Sequence, residues 1–245
     1  MRLSRFLGMS MLLLPVLAAV PLFTARSETS AVRIDPPALD AATGANTEPN
    51  TGVGLETAVL AGGCFWGVQA VYQHTKGVVN AVSGYAGGRS EDANYTTVSF
   101  GRTGHAESVR VTFDPRVTSY GKILQIFFSV AHDPTQLNRQ GPDYGTQYRS
   151  EIFPQSDAQR RIAKAYIAQL DGAHAFAKPI VTKTDTDQAK FYAAEDYHQD
   201  YAVKHPAQPY IVINDRPKVD ALKTLFPDVY RETPMTVADA KAAGH

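Results

Sequence analysis

Apolar and polar positions along the chain fall into segments whose period changes abruptly, and each change marks an element. Thr57 to Ala61 is a short apolar run that stops on Gly62-Gly63, as a buried strand does at a sharp turn. From Cys64 the period becomes helical, with Phe65, Val68 and Tyr72 on one face, and Gly77 ends the helix. Val78 to Val82 reads as a strand, followed by a Gly-rich turn from Gly84 to Gly88. Glu107 to Phe113 alternates, placing Val109, Val111 and Phe113 on one face, and stops at Asp114-Pro115. Tyr120 to Val130 is an amphipathic helix ending before Asp133-Pro134. A long polar loop, Asp133 to Gln147, then precedes a strand from Tyr148 to Phe153. Ser156 to Leu170 is a strong helix, with Ile162, Ala165, Tyr166 and Gln169 at helical steps. Ile180 to Thr182 reads as a strand, Gln188 to Val203 as mostly helical and aromatic-rich, and Lys218 to Phe226 as a last helix.

Strands and helices mix without regular alternation, which predicts an α+β two-layer domain over residues 55–230 rather than a doubly wound sheet. A polar loop as long as 133–147 inside such a domain is usually functional. Residues 28–54 are rich in Ala, Thr, Asn, Pro and Gly and read as a flexible linker. Residues 231–245 read as a polar C-terminal tail.

The first 27 residues read as a signal peptide. Arg2 and Arg5 precede an uncharged apolar stretch from Phe6 to Ala25, and Ala25-Arg26-Ser27 offers small residues at a cleavage site. The stretch is also close to the ~20 residues that span a bilayer, so an uncleaved anchor is the other reading, which Pro15 and Pro21 disfavour. The expected location is periplasmic or extracellular. Acidic and basic residues balance at 24 each, with no Lys/Arg block, which argues against nucleic acid as the main partner. Loss of Arg2, Arg5 and Arg26 on cleavage leaves a net charge of −3.

The chain has one cysteine. Cys64 therefore cannot make an internal disulfide, a C-x-x-C pair or a multi-cysteine zinc site. It is either an inert buried residue or a reactive one. Its setting favours reactivity: two glycines free the backbone, Cys64 opens a helix, and the helix's positive end is expected to lower the thiol pKa. His105 and His132 lack ligand partners at metal spacing, and no H-E-x-x-H is present, so no metal is expected.

Gly63 to Gly67 (GCFWG) resembles the signature of the A-type methionine sulfoxide reductases. Further matches follow in the family's order: GYAGG at Gly84, TGHAE at Thr103, HDPTQ at His132, GTQYRS at Gly145 and AEDYHQ at Ala194. Together they span about residues 57–230. The resemblance implies a two-layer sandwich with a mixed central sheet and a ferredoxin-like core. It implies reduction of the S epimer of methionine sulfoxide, free or in proteins, as repair.

By the same resemblance Cys64 is the nucleophile and becomes a sulfenic acid, and Glu107 is the acid that protonates the departing oxygen. Tyr95 and Tyr148 are hydroxyls that bind that oxygen, although Asn94-Tyr95-Thr96 lacks the proline the family usually places there. Asp143 supports the site from behind, and Phe65 and Trp66 wall the substrate's methyl group. His198, in AEDYHQ, reads as structural; a hydrolase triad of Cys64, His198 and an acid is the rival it raises, and a binding module with an inert Cys64 is another. Many members carry further cysteines near the C-terminus. Here none follows, and position 67 is Gly, so the resemblance is to a one-cysteine variant. It implies no bound cofactor and regeneration by an external thiol, a thioredoxin-like protein or a small thiol.

Overall fold

The computed structural model describes residues 31–40, 54–184 and 189–245; the expected signal peptide, and part of the expected linker, lie outside them. Seven strands and seven helices of these residues carry the argument. The strands are β1 (Glu56–Gly62), β2 (Val78–Ala86), β3 (Ala106–Phe113), β4 (Arg139–Gln140), β5 (Asp143–Tyr144), β6 (Ser150–Phe153) and β7 (Phe191–Ala193). The helices are α1 (Phe65–Gln73), α2 (Tyr95–Val98), α3 (Tyr120–Ile126), α4 (Asp157–Gly172), α5 (Tyr201–Lys204), α6 (Arg216–Leu225) and α7 (Val237–Ala242).

Five strands form one sheet in the order β6-β1-β3-β2-β7, and β4 pairs with β5 as a small hairpin. The connection from β1 through α1 to β2 skips a position, which β3 fills. With α3 and β6 this makes the split β-α-β of a ferredoxin-like core, and β7 is added at the edge. Every strand pairing in the sheet is antiparallel, so the sheet is not mixed. Interposing β3 separates β1 from β2, the two strands that would otherwise pair in parallel.

The alternation in β3 does what its pattern predicts. Val109, Val111 and Phe113 enter the main core with α1, α3 and α4. β1 is apolar on both faces because both are covered: Ala58 and Leu60 face the helices, while Val59 and Ala61 join Ala86, Ala106 and Phe153 behind the sheet.

Several expectations change. β2 runs on through Gly84, where the side of a Cβ is taken by Phe191 and the Tyr192 carbonyl of β7. The expected helix over 188–203, whose first residue lies outside the described ones, is instead β7, a short 3-10 turn and α5, because adjacent aromatics suit an edge strand better than an uncapped helix. Ile180 to Thr182 forms no strand, only a single bridge at Lys183. The tail contains α7, opened by a capping box between Thr236 and Asp239, with Ala240 buried. Nor does all of 28–54 behave as a linker. Residues 31–40 lie against the domain as a strap: Ile34 is buried, Gln125 donates to its carbonyl, and the Tyr166 hydroxyl donates to that of Asp35 at 2.6 Å. Proline and alanine give that stretch no period to read, yet it packs.

Candidate active site

The bend between β1 and α1 delivers Cys64. Gly63 has φ +89°, and a Cβ on it would meet the side chain of Gln140, so only glycine fits. Cys64 then occupies the N-cap of α1, facing the first-turn N–H groups that have no partner within the helix. The Phe65 N–H donates to Oε2 of Glu107 at 3.1 Å, and the Trp66 N–H is directed at the Cys64 sulfur. Glu107 reaches this point by strand parity. It shares the face of Val109, Val111 and Phe113 and stands at the start of β3, so an apolar stripe carries a carboxyl into the interior.

Cys64 is 8% exposed and Glu107 3%, and burial dominates both titrations. It pushes the Cys64 thiol well up, and the charges of Asp215, Glu107 and Asp143 push it further; only the Trp66 N–H pulls down. The lowered thiol expected from the helix end is thus overturned. Desolvation outweighs the dipole, and carboxylates already crowd the same helix end. Burial also raises Glu107 to about 8 against the pull of the Phe65 N–H. Thiol and carboxyl are both protonated at neutral pH.

The remaining candidates converge on this pair. Tyr95 and Tyr148 are raised chiefly by burial, and both also feel the charges of Glu107 and Cys64. The Tyr95 N–H is fixed by Glu195, which also accepts from the Tyr85 hydroxyl at 2.8 Å. Asp143, from the β4–β5 hairpin, accepts a short hydrogen bond from the Tyr210 hydroxyl. Phe65 is fully buried, packed near the rings of Tyr85 and His198. Trp66 is partly open, stacked on Tyr201 at 3.8 Å and edge-on to Tyr210, and its indole N–H donates to His198 Nδ1 at 3.2 Å. His198 thereby commits Nδ1 to the indole rather than to a relay with the thiol.

Four residues here are given no site role by the sequence: Tyr201, Tyr210, Asp215 and Lys218. Asp215 Oδ1 fills the place where a Cβ on residue 67 would sit, which is the reason that position is glycine. Lys218 Nζ lies 3.5 Å from the same oxygen, and both residues are buried. No spacing in Tyr210 to Lys218 distinguishes an active-site segment from an ordinary helix start at Pro217.

The loop histidines are structural. His132 is buried, bonded to Ser150 Oγ at 2.7 Å and the Phe127 carbonyl at 3.0 Å, and burial lowers it to about 4. His105 pins the Gly-rich turn through the Gly88 N–H and the Arg89 carbonyl. Among the described residues no group of three or more His, Cys, Asp or Glu is placed to hold a metal ion.

The family model for peptide methionine sulfoxide reductase matches residues 56–229. Peptide methionine sulfoxide reductase MsrA 2 of Mesorhizobium japonicum is 60% identical over 187 residues, covering 76% of this chain and 95% of that protein. MsrA 2 of Synechocystis is 48% identical over 75% of this chain and 85% of its own. Among solved structures, methionine sulfoxide reductase A of Corynebacterium diphtheriae superposes with a TM-score of 0.53 at 36% identity, over 62% of this chain and 78% of that one. Reduced Mxr1 from Saccharomyces cerevisiae gives 0.55 at 35%, over 62% and 87%.

Proposed function

This chain belongs to the peptide methionine sulfoxide reductase family, and from that premise we propose how its residues divide the reaction. The enzyme reduces the S epimer of methionine sulfoxide to methionine and so repairs oxidised proteins. Cys64 is the nucleophile. Its sulfur attacks the sulfoxide sulfur while Glu107 gives its proton to the sulfoxide oxygen, and the thiol's proton then resets Glu107. Methionine leaves, and the oxygen and one hydrogen remain on Cys64 as a sulfenic acid. Tyr95 and Tyr148 donate to the oxygen as charge develops on it. Phe65 and Trp66 hold the methyl group; with methyl and oxygen both fixed, only one configuration turns its sulfur toward Cys64. Asp143 holds Tyr210 against Trp66 and so shapes that wall.

The observation that carries this reading is the hydrogen bond from the Phe65 N–H to Glu107, which keeps a protonated carboxyl one residue from the thiol. A sulfoxide oxygen leaves poorly, and a buried acid of pKa about 8 is suited to protonate it. The test is turnover of the two separate epimers of a blocked methionine sulfoxide with excess dithiol. Consumption of the S epimer alone, lost in Cys64→Ser, is expected. Substantial turnover by Cys64→Ser removes Cys64 from the role.

Regeneration falls to external thiols. One condenses with the sulfenic acid and releases water, and a second releases Cys64 as a thiol by exchange, so the electrons come from the thiols and no bound cofactor is needed. The apolar segment of residues 1–27 supports export, and an exported thioredoxin-like protein is the reductant that fits an oxidising compartment.

A further inference from the structure

Cys64 and Gly67 lie one helical turn apart, at the N-cap and third position of α1, and so share a face of the helix. Against that face stands the Asp215 carboxylate. Its Oδ1 takes the space of the missing side chain at Gly67, and Lys218 holds the same oxygen. Its Oδ2 is buried and finds no hydrogen-bond partner among the described residues. A half-satisfied carboxylate is expensive to bury, and the buried Lys218 pairs with its Oδ1 alone. We propose that Asp215, clamped by Lys218, is a positioning residue that keeps Cys64 as the protonated thiol until a sulfoxide occupies the site.

The proposal rests on the reductase reading above and concerns the regulation of the same site. The groups facing Cys64 come from every element around it. Glu107 lies on β3, Asp143 on β5, Tyr95 on α2, Tyr148 ahead of β6, and Tyr210 and Asp215 lie on the segment entering α6. Asp215 itself faces Lys218, Asp143 and Tyr210. Glu107 is neutral below about pH 8, whereas burial raises Asp215 only to about 6. Asp215 is thus the less raised of the two acids, and together with Asp143 it sets negative charge against the helix turn that Cys64 caps, which opposes a thiolate.

This arrangement makes chemical sense for a lone cysteine. Peroxides react with the thiolate, and oxidation past the sulfenic acid is irreversible here. No second thiol in the chain can trap Cys64 as a disulfide. Holding the thiol protonated couples its activation to substrate. The base that takes its proton is Glu107, and Glu107 becomes a base only after giving its own proton to a bound sulfoxide.

Alkylation of Cys64 by iodoacetamide between pH 6 and 10 tests this directly, because the chain has one thiol. Asp215→Asn should move the profile toward lower pH and raise the rate at pH 7 about tenfold, the change in thiolate fraction for a one-unit fall in pKa. Peroxide inactivation without sulfoxide should rise in parallel. Glu107→Gln should leave the profile near wild type below pH 8. Should loss of Asp215 leave Lys218 too poorly accommodated for folding, Asp215→Asn with Lys218→Met keeps the pair neutral and should shift the profile in the same direction. A folded Asp215 variant, single or double, whose alkylation profile matches wild type overturns the proposal. None of these measurements uses sulfoxide turnover, so failure here leaves the reductase assignment intact, and failure of the epimer assay leaves the alkylation result readable.

Discussion

Glu107 and Phe65 are 42 positions apart, yet Oε2 of the one accepts the backbone N–H of the other at 3.1 Å. That bond ties the start of β3 to the first turn of α1 and fixes the acid beside the nucleophile whichever way the surface loops move.

Replacing Glu107 by Gln keeps the shape and removes the proton. The rate of Cys64 oxidation in a single turnover at saturating S epimer should fall about 10²- to 10⁴-fold, as for loss of a general acid, with a much smaller change in substrate affinity. Stopped-flow measurement decides; an unchanged rate excludes Glu107 from proton transfer.

The same substitution should stabilise the fold at alkaline pH. Glu107 titrates near 4.5 when exposed and about 8 when folded. Its pKa is raised, so its favourable contribution is complete below 4.5 and is lost as pH climbs toward 8. At about 1.4 kcal/mol per pH unit of difference, Glu107→Gln should gain a few kcal/mol at pH 8 and almost nothing at pH 4.5. Denaturant melts at the two pH values check the sign.

In thiol-free buffer each enzyme should release one methionine and stop. No second thiol in the chain can reach the Cys64 sulfenic acid, so intact mass should rise by one oxygen, and a monothiol should restore cycling through a mixed disulfide. Repeated turnover without thiol contradicts a sulfenic acid end state.

His198→Ala removes the acceptor of the Trp66 indole N–H and loosens the wall of the methyl site. KM for the S epimer should rise several-fold while the rate at saturation changes less. A loss as deep as that of Glu107→Gln would place His198 in the chemistry and revive the triad reading.

The strap tests a different expectation. Ile34 is buried against the domain, so Ile34→Ala should cost about 2 kcal/mol or more without altering the chemical step. A stability equal to wild type would show that residues 31–40 do act as a linker.

What could be read in the sequence depended on whether a residue's role was local. The strand-turn-helix around Cys64 and the face of Glu107 on β3 follow from period and parity. The six motifs named the chemistry. Tyr210, Asp215 and Lys218 come from far along the chain and act only by where α6 enters, which no local pattern encodes. The direction of the Cys64 shift was missed for the same reason. The helix end is visible in sequence, but the burial and the carboxylates that oppose it are tertiary. β7 was hidden because an edge strand of three residues is selected by its neighbour β2, not by its own alternation.

The contact between Gly67 and Asp215 also bears on how this enzyme can evolve. A cysteine introduced at position 67 would need the space that the carboxylate fills, and a change at 215 alone would strand Lys218. The two positions are coupled, each constraining what the other can become, and only a change at both opens the turn beside Cys64 to a second thiol. A resolving cysteine is thus barred from the turn of Cys64 by the packing of α1 against α6, and one could reach the sulfenic acid only from another part of the chain.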